Sequence, residues 1–209
     1  MPDEPQHIVV DTNCYVRLYY SDVRPILGGI VGNHKLVTLR ELAREAEDGT
    51  PLVERNAWLL TDDIQNDIRN GVLNIPAEDV DFLRQSTSDY RNLGDQVLRR
   101  YCAEHRREPV RILSNADAKA LAVAAHYGYV LATDEWPLRV VCQHFDEQDG
   151  EGPVLISSVG LLKLLEDGGH INAQQREGVL REWMRAGEWL RHWNDEHLQL
   201  FGTAAPVVQ

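Results

Sequence analysis

At 209 residues, 43% hydrophobic and 26% charged, the chain can bury one sizeable core and has neither a disordered nor a fibrous composition. Its net charge of −12 argues against a protein whose main work is coating nucleic acid, because Lys and Arg supply most of that affinity by neutralising phosphates. An enzyme that meets a phosphodiester through metal ions is not excluded.

From the amino end, strand signals fall at Ile8 to Val10, around Leu36 to Thr38, at Tyr129 to Ala132 and at Val154 to Ile156, each followed by a helical pattern. This order predicts an α/β fold with a central, largely parallel sheet flanked by helices. After the first strand, "CYVRLYY" reads as a short helix and "LRELAREAEDG" as a longer one stopped by Gly49. From about Leu52 to Glu108 the spacing is helical, broken at Asn70–Gly71 and at Pro76, which predicts a helical insertion. "NADAKALAVAAHYG" is the clearest helix, with Ser114 or Asn115 as its cap, alanines along it and Gly128 at its end. Ser157 or Ser158 caps "VGLLKLLEDGG", and further helices run to "HLQLF". The expected organisation is an α/β domain over 1–160 with its insertion at about 52–108, and a C-terminal helical extension over 161–209 packed on it. The tail "GTAAPVVQ" is expected to fray.

No window approaches the roughly eighteen consecutive apolar residues of a spanning helix. The acidic start "MPDEPQH" lacks the pattern of a secretory signal, so a cytoplasmic protein without membrane association is expected. Cys14, Cys102 and Cys142 have no zinc-ligand spacing and read as free, partly buried thiols. His192 and His197 stand five residues apart, a step that does not stack them on one helix face. Trp183, Trp189 and Trp193 are expected to form the seam between the last helices and the main domain, with a partner or homodimer surface as the competing reading. "LGGIVGN" lacks a nucleotide-binding glycine pattern.

The acids carry the chemistry. Asp11 ends the first strand, Glu41 begins the helix after the second, Asp117 lies in the first turn of the alanine-rich helix, and Asp134 and Glu135 follow "YVLAT". In a parallel sheet these positions share one edge, where open α/β sheets place ligands. Each acid alone can be a helix cap or a partner of the helix dipole. Together they repel one another and raise each other's pKa unless a cation sits among them, and a hard ion such as Mg²⁺ or Mn²⁺ suits oxygen ligands.

This arrangement resembles the PIN-domain family of metal-dependent ribonucleases, which includes the VapC toxins of toxin–antitoxin pairs. The resemblance rests on "IVVDTN" with Asp11, "VTLRELA" with Glu41, "SNADAKALAVAAHYG" with Asp117, and "YVLATDEWPLRVV" with Asp134 or Glu135. It covers about residues 7–60 and 110–160. It implies a three-layer PIN-like fold and hydrolysis of RNA phosphodiesters. It also implies Mg²⁺ or Mn²⁺ held by Asp11, Glu41, Asp117 and Asp134, with Glu135 as neighbour or second ligand, and makes a small antitoxin protein a candidate partner. Glu45, one turn after Glu41, is the other acid that helix offers; the placement of "VTLRELA" favours Glu41. Thr12, Asn13 and Thr133 would orient carboxylates, bound water or a phosphate.

A phosphatase of the haloacid dehalogenase class would need an Asp where Asn13 stands. A non-catalytic PIN-like scaffold and a small-substrate metal-dependent phosphoesterase are the competing functions. For RNA, the one concentrated basic stretch is "RRYCAEHRREPVR", which makes Arg99, Arg100, Arg106, Arg107 and Arg111 the candidate phosphate contacts; a solvated helix end is the plainer reading.

Overall fold

The computed structural model describes residues 5–21, 23, 26–149, 152–190 and 192–206. Residues 1–4 of the acidic start and 207–209 of the tail expected to fray lie outside them. Strand β1 (Gln6–Val10) is the middle of a five-stranded sheet completed by β2 (Ile30–Val31), β3 (His34–Val37), β4 (Val130–Ala132) and β5 (Leu155–Ile156). The spatial order is β2-β3-β1-β4-β5, with all neighbours parallel except the β2–β3 pair. Ile8 lies opposite both Leu36 and Val130, and Val10 lies opposite Ala132. Because β1 has β3 on one side and β4 on the other, the strand order reverses at β1. Such a reversal opens a crevice beyond the carboxyl ends of the strands, and Asp11 is the first residue past β1.

Both faces of the sheet are covered, which is why "IVV" is uninterrupted by polar residues. Successive side chains point to opposite faces. Ile8 and Val10 join α1 (Thr12–Tyr20), α8 (Ser158–Asp167), α9 (Ala173–Arg185) and α10 (Trp193–Phe201) in one core that includes Tyr15, Leu162, Trp183 and Trp193. Val9 joins α5 (Val80–Glu104), α6 (Asn115–Tyr127) and α7 (Trp136–Asp149) in the other, around Leu98, Leu121 and Val141. A Cβ on Gly94 would run into Leu113, so this glycine lets α5 approach the segment leading into α6. Three short helices, α2 (Arg40–Ala43), α3 (Pro51–Arg55) and α4 (Asp62–Gly71), connect the sheet to α5. Cys14, Cys102 and Cys142 are buried free thiols. Among the described residues no helix is long and apolar enough to cross a membrane.

Three local differences separate the observed chain from the expected one. The β2–β3 hairpin was not anticipated, since its first strand has two residues; it turns at Gly32, whose φ of 57° is left-handed. The helix expected over "LRELAREAEDG" is a four-residue α2 that tightens into a 3₁₀ turn over Arg44–Ala46. The boundary expected at 160 falls inside α8, whose Val159, Leu161, Leu162 and Leu165 are core residues of the sheet.

Trp183 is fully buried, packs against Trp193 with ring centroids 5.4 Å apart and planes tilted by 43°, and donates its indole N–H to the Arg17 carbonyl at 2.8 Å. Trp183→Ala is expected to lower stability by about 3–5 kcal/mol, as for other large aromatic truncations, measured as a urea midpoint. Because the last helices share the core of the sheet, the loss should come as one cooperative transition. Two separated transitions would instead mark 161–209 as an independent unit.

Candidate functional site

Asp11 is 4% exposed and caps α1 from the end of β1. Its Oδ1 accepts the Thr12 N–H at 2.7 Å and its Oδ2 accepts the Thr133 hydroxyl at 3.1 Å. Burial pushes its pKa well above the ordinary carboxylate value, and the charges of Asp117, Glu135 and Glu45 push the same way against the Thr133 hydrogen bond. Glu135 is raised by burial and then by Asp117; Arg17, the Asn13 amide and Arg111 oppose the rise. Glu45 is raised by its partial enclosure and by Asp117 and Glu135, against a hydrogen bond from Thr12. Four acids from four elements therefore share one electrostatic neighbourhood at the carboxyl edge of the sheet. Asp117 reaches it from the first turn of α6, where it also completes a reciprocal cap with Ser114.

Two of the expected acids are placed elsewhere. Glu41 accepts from Lys119 Nζ at 2.6 Å, on the α2–α6 side of the site. Glu45 takes the position expected of it. A continuous α-helix would put 41 and 45 nearly on one face, but the 3₁₀ turn carries Glu45 further round. Asp134 is turned into the core, where its two oxygens meet Arg17 Nη1 at 2.8 Å, Trp193 Nε1 at 3.1 Å, the Ser158 N–H at 3.2 Å, the Ser158 hydroxyl and the Cys14 thiol. The chain leaving β4 sends consecutive side chains to opposite sides, so Glu135 faces the crevice where Asp134 had been expected. Nothing in the "TDE" run itself distinguishes the two. The signal lay far off, in the residues that could claim a buried carboxylate: Arg17, Ser158 and Trp193.

The three small polar residues are all engaged. Asn13 donates its amide to Glu135 Oε1 at 2.5 Å, and Thr133 bridges, donating to Asp11 while accepting the Glu135 N–H at 3.1 Å. Thr12 donates its hydroxyl to the Leu42 carbonyl at 3.3 Å, tying α1 to α2. The arginine stretch divides. All five are exposed, but Arg111 lies close enough to Glu135 to act on its charge, and Arg107 sits over Trp136 at 4.9 Å and Tyr101 at 5.5 Å. Arg99 and Arg100 are on the last turns of α5, and Arg106 follows that helix with a left-handed φ of 51°.

The oxygen donors and their mutual repulsion fit a hard divalent cation. Among the described residues, however, no three His, Cys, Asp or Glu side chains are gathered closely enough to hold a metal ion. Mg²⁺ does not need such a group, since it commonly takes one or two carboxylates and fills the rest of its shell with water. No family model matches the chain, and no curated protein and no solved structure matches it.

The divergent placement of neighbours gives a direct comparison. Asp134→Ala leaves Arg17, 11% exposed at its side chain, without its buried partner, and is expected to cost about 3–5 kcal/mol of stability. Glu135→Gln removes a repulsive charge and should leave the urea midpoint unchanged or raised.

The raised acids also set a pH dependence. Their folded-state pKa values lie above the unfolded ones, so the folded state holds more protons in the window between, and the stability they contribute at low pH is lost as pH rises through the raised values. With chelator present, the urea midpoint should fall as pH rises above the ordinary carboxylate range of about 4. Asp11→Asn should flatten that fall and raise the midpoint at neutral pH.

Proposed function

We propose that the chain is a PIN-like, metal-dependent ribonuclease whose centre is Asp11, Glu45, Asp117 and Glu135. The observation that carries this reading is the gathering of Asp11, Glu45 and Glu135 around the charge of Asp117 at the switch-point edge, each of the three held above its ordinary carboxylate value by burial and by its acidic neighbours. A protein gains nothing structurally from such repulsion, and perturbed carboxylates in a crevice are the usual signature of a working site. Asp11 and Glu135, with Asp117 and Glu45 around them, would hold Mg²⁺ or Mn²⁺, which supplies polarisation of the scissile phosphate and a lowered pKa for the attacking water.

The chain's own residues do the positioning. Thr133 fixes the Asp11 carboxylate from one side and the Glu135 backbone from the other. Asn13 fixes the Glu135 carboxylate. Arg111 adds positive charge on the open side, where a phosphate would approach.

Mn²⁺ at a hundred times its dissociation constant should stabilise the wild type by about 2.7 kcal/mol, read as a rise in melting temperature, and Asp11→Asn or Asp117→Asn should abolish the rise. Cleavage of a labelled single-stranded RNA should require the metal and fall by about a hundredfold or more in Glu135→Ala. Asn13→Ala should lose about 10–100-fold by releasing Glu135. Equal stabilisation of all variants by Mn²⁺, or metal-independent cleavage, contradicts the assignment.

A further inference from the structure

A cleft of about 800 Å³ lies between α2, the loop Leu73–Ile75, α5 and the first turn of α6. Its walls carry Arg40, Arg84, Arg91 and Lys119 against a single lining acid, Glu41. In a chain of net charge −12 this is a local excess of three positive charges in the lining, or two once Asp81, the partner of Arg84, is counted. Arg84 is paired with Asp81 at 2.7 Å and Lys119 with Glu41 at 2.6 Å. Arg91 has a neutral partner, the Asn115 side chain, and Arg40 is exposed with no ion pair among the described residues. Arg40 and Arg91 are therefore the charges free to meet an anion.

Two segments of chain carry residues of both the cleft and the carboxylate site. Asn115 lines the cleft and stands two residues before Asp117 on the same turn of α6; Arg40 and Glu41 line it and stand just before Glu45 along α2 and its 3₁₀ turn. Its remaining lining is mixed: the amides of Asn74 and Asn92 can donate and accept, and Val80, 47% exposed, offers apolar contact. A chain that repeats an anionic phosphate, a polar sugar and a flat apolar base matches such a surface better than an acidic peptide, which has no use for the apolar part.

We propose that this cleft is the track along which single-stranded RNA enters the carboxylate centre, with Arg40 and Arg91 on its phosphates. The proposal rests on the nuclease reading of that centre. It also moves the main phosphate contacts away from the arginine stretch at 99–111.

The test is fluorescence anisotropy of a labelled oligouridylate of about 15 nucleotides bound to the full chain in EDTA at a series of KCl concentrations. The double substitution Arg40→Gln, Arg91→Gln should weaken binding and lower the log–log salt slope by about 1.4, roughly 0.7 for each single-strand phosphate contact. Arg91→Lys, which keeps the charge and gives up the planar fork, should keep the slope. An unchanged slope in the double variant overturns the proposal, as does wild-type protein that fails to bind the oligonucleotide. A polyglutamate chain of equal charge that binds as tightly and is weakened equally by the same substitutions also overturns it, in favour of an acidic protein partner. Because binding is read without divalent metal, the result is separate from whether the carboxylates cut RNA: a lowered slope without metal-dependent cleavage refutes the nuclease and leaves an RNA-binding cleft.

Discussion

A buried carboxylate with several donors holds the molecule in register. Asp134 takes hydrogen bonds from α1 through Arg17 and Cys14, from the start of α8 through Ser158, and from α10 through Trp193. The Arg17 guanidinium continues the chain of contacts, lying 5.3 Å from the Trp193 ring and 3.2 Å from Glu188, while its backbone carbonyl holds Trp183. Removing the Asp134 charge from such a centre is more damaging than never having built it, because Arg17 stays largely buried with only the half-exposed Glu188 left as its ion-pair partner. Its consequence for function is geometric. With Asp134 anchored inward, the next residue must face out, and Glu135 meets Asn13 and the charge of Asp11 and Asp117. With α1 anchored by Arg17, Asp11 and Asn13 at its first turn are fixed as well.

The crevice is built on the opposite principle. Burial and the charge of neighbouring acids raise Asp11, Glu45 and Glu135 together, with Arg17 and Arg111 acting against the rise at Glu135. A single acid satisfied by the protein, Asp134, and a group of acids left for something else to satisfy thus sit back to back across the "TDE" run. His192, an exposed residue, is pushed below its ordinary pKa by partial desolvation and by Arg139, against the pull of Asp134 and Glu196.

How much of this could be read from the chain follows from where the information lies. The four parallel strands were legible because each carries an apolar run with a helix behind it, while the two-residue β2 gave no such signal; Ile8 to Val10 is buried as its composition requires. The cap of α6 was legible because Ser114, Asp117 and Gly128 act within a few residues of one another. The edge at which acids gather followed from parallel topology alone. Which acid of each pair enters it did not. Glu45 replaces Glu41 because a helix tightens after four residues, and Glu135 replaces Asp134 because Arg17, Ser158 and Trp193, remote in sequence, claim the other carboxylate. The cationic cleft was invisible for the same reason: Arg40, Arg91 and Lys119 belong to three helices and form no run.

The central claim, that Asp11, Glu45, Asp117 and Glu135 form a divalent-cation centre while Asp134 is structural, is tested most directly by anomalous diffraction from crystals grown with Mn²⁺. The expected result is a peak within coordination distance, about 2.1 Å, of Asp11 or its neighbours in the crevice, with Asp134 still bound to Arg17 and Trp193. A crevice without a peak at saturating Mn²⁺, or a peak on Asp134, would contradict it.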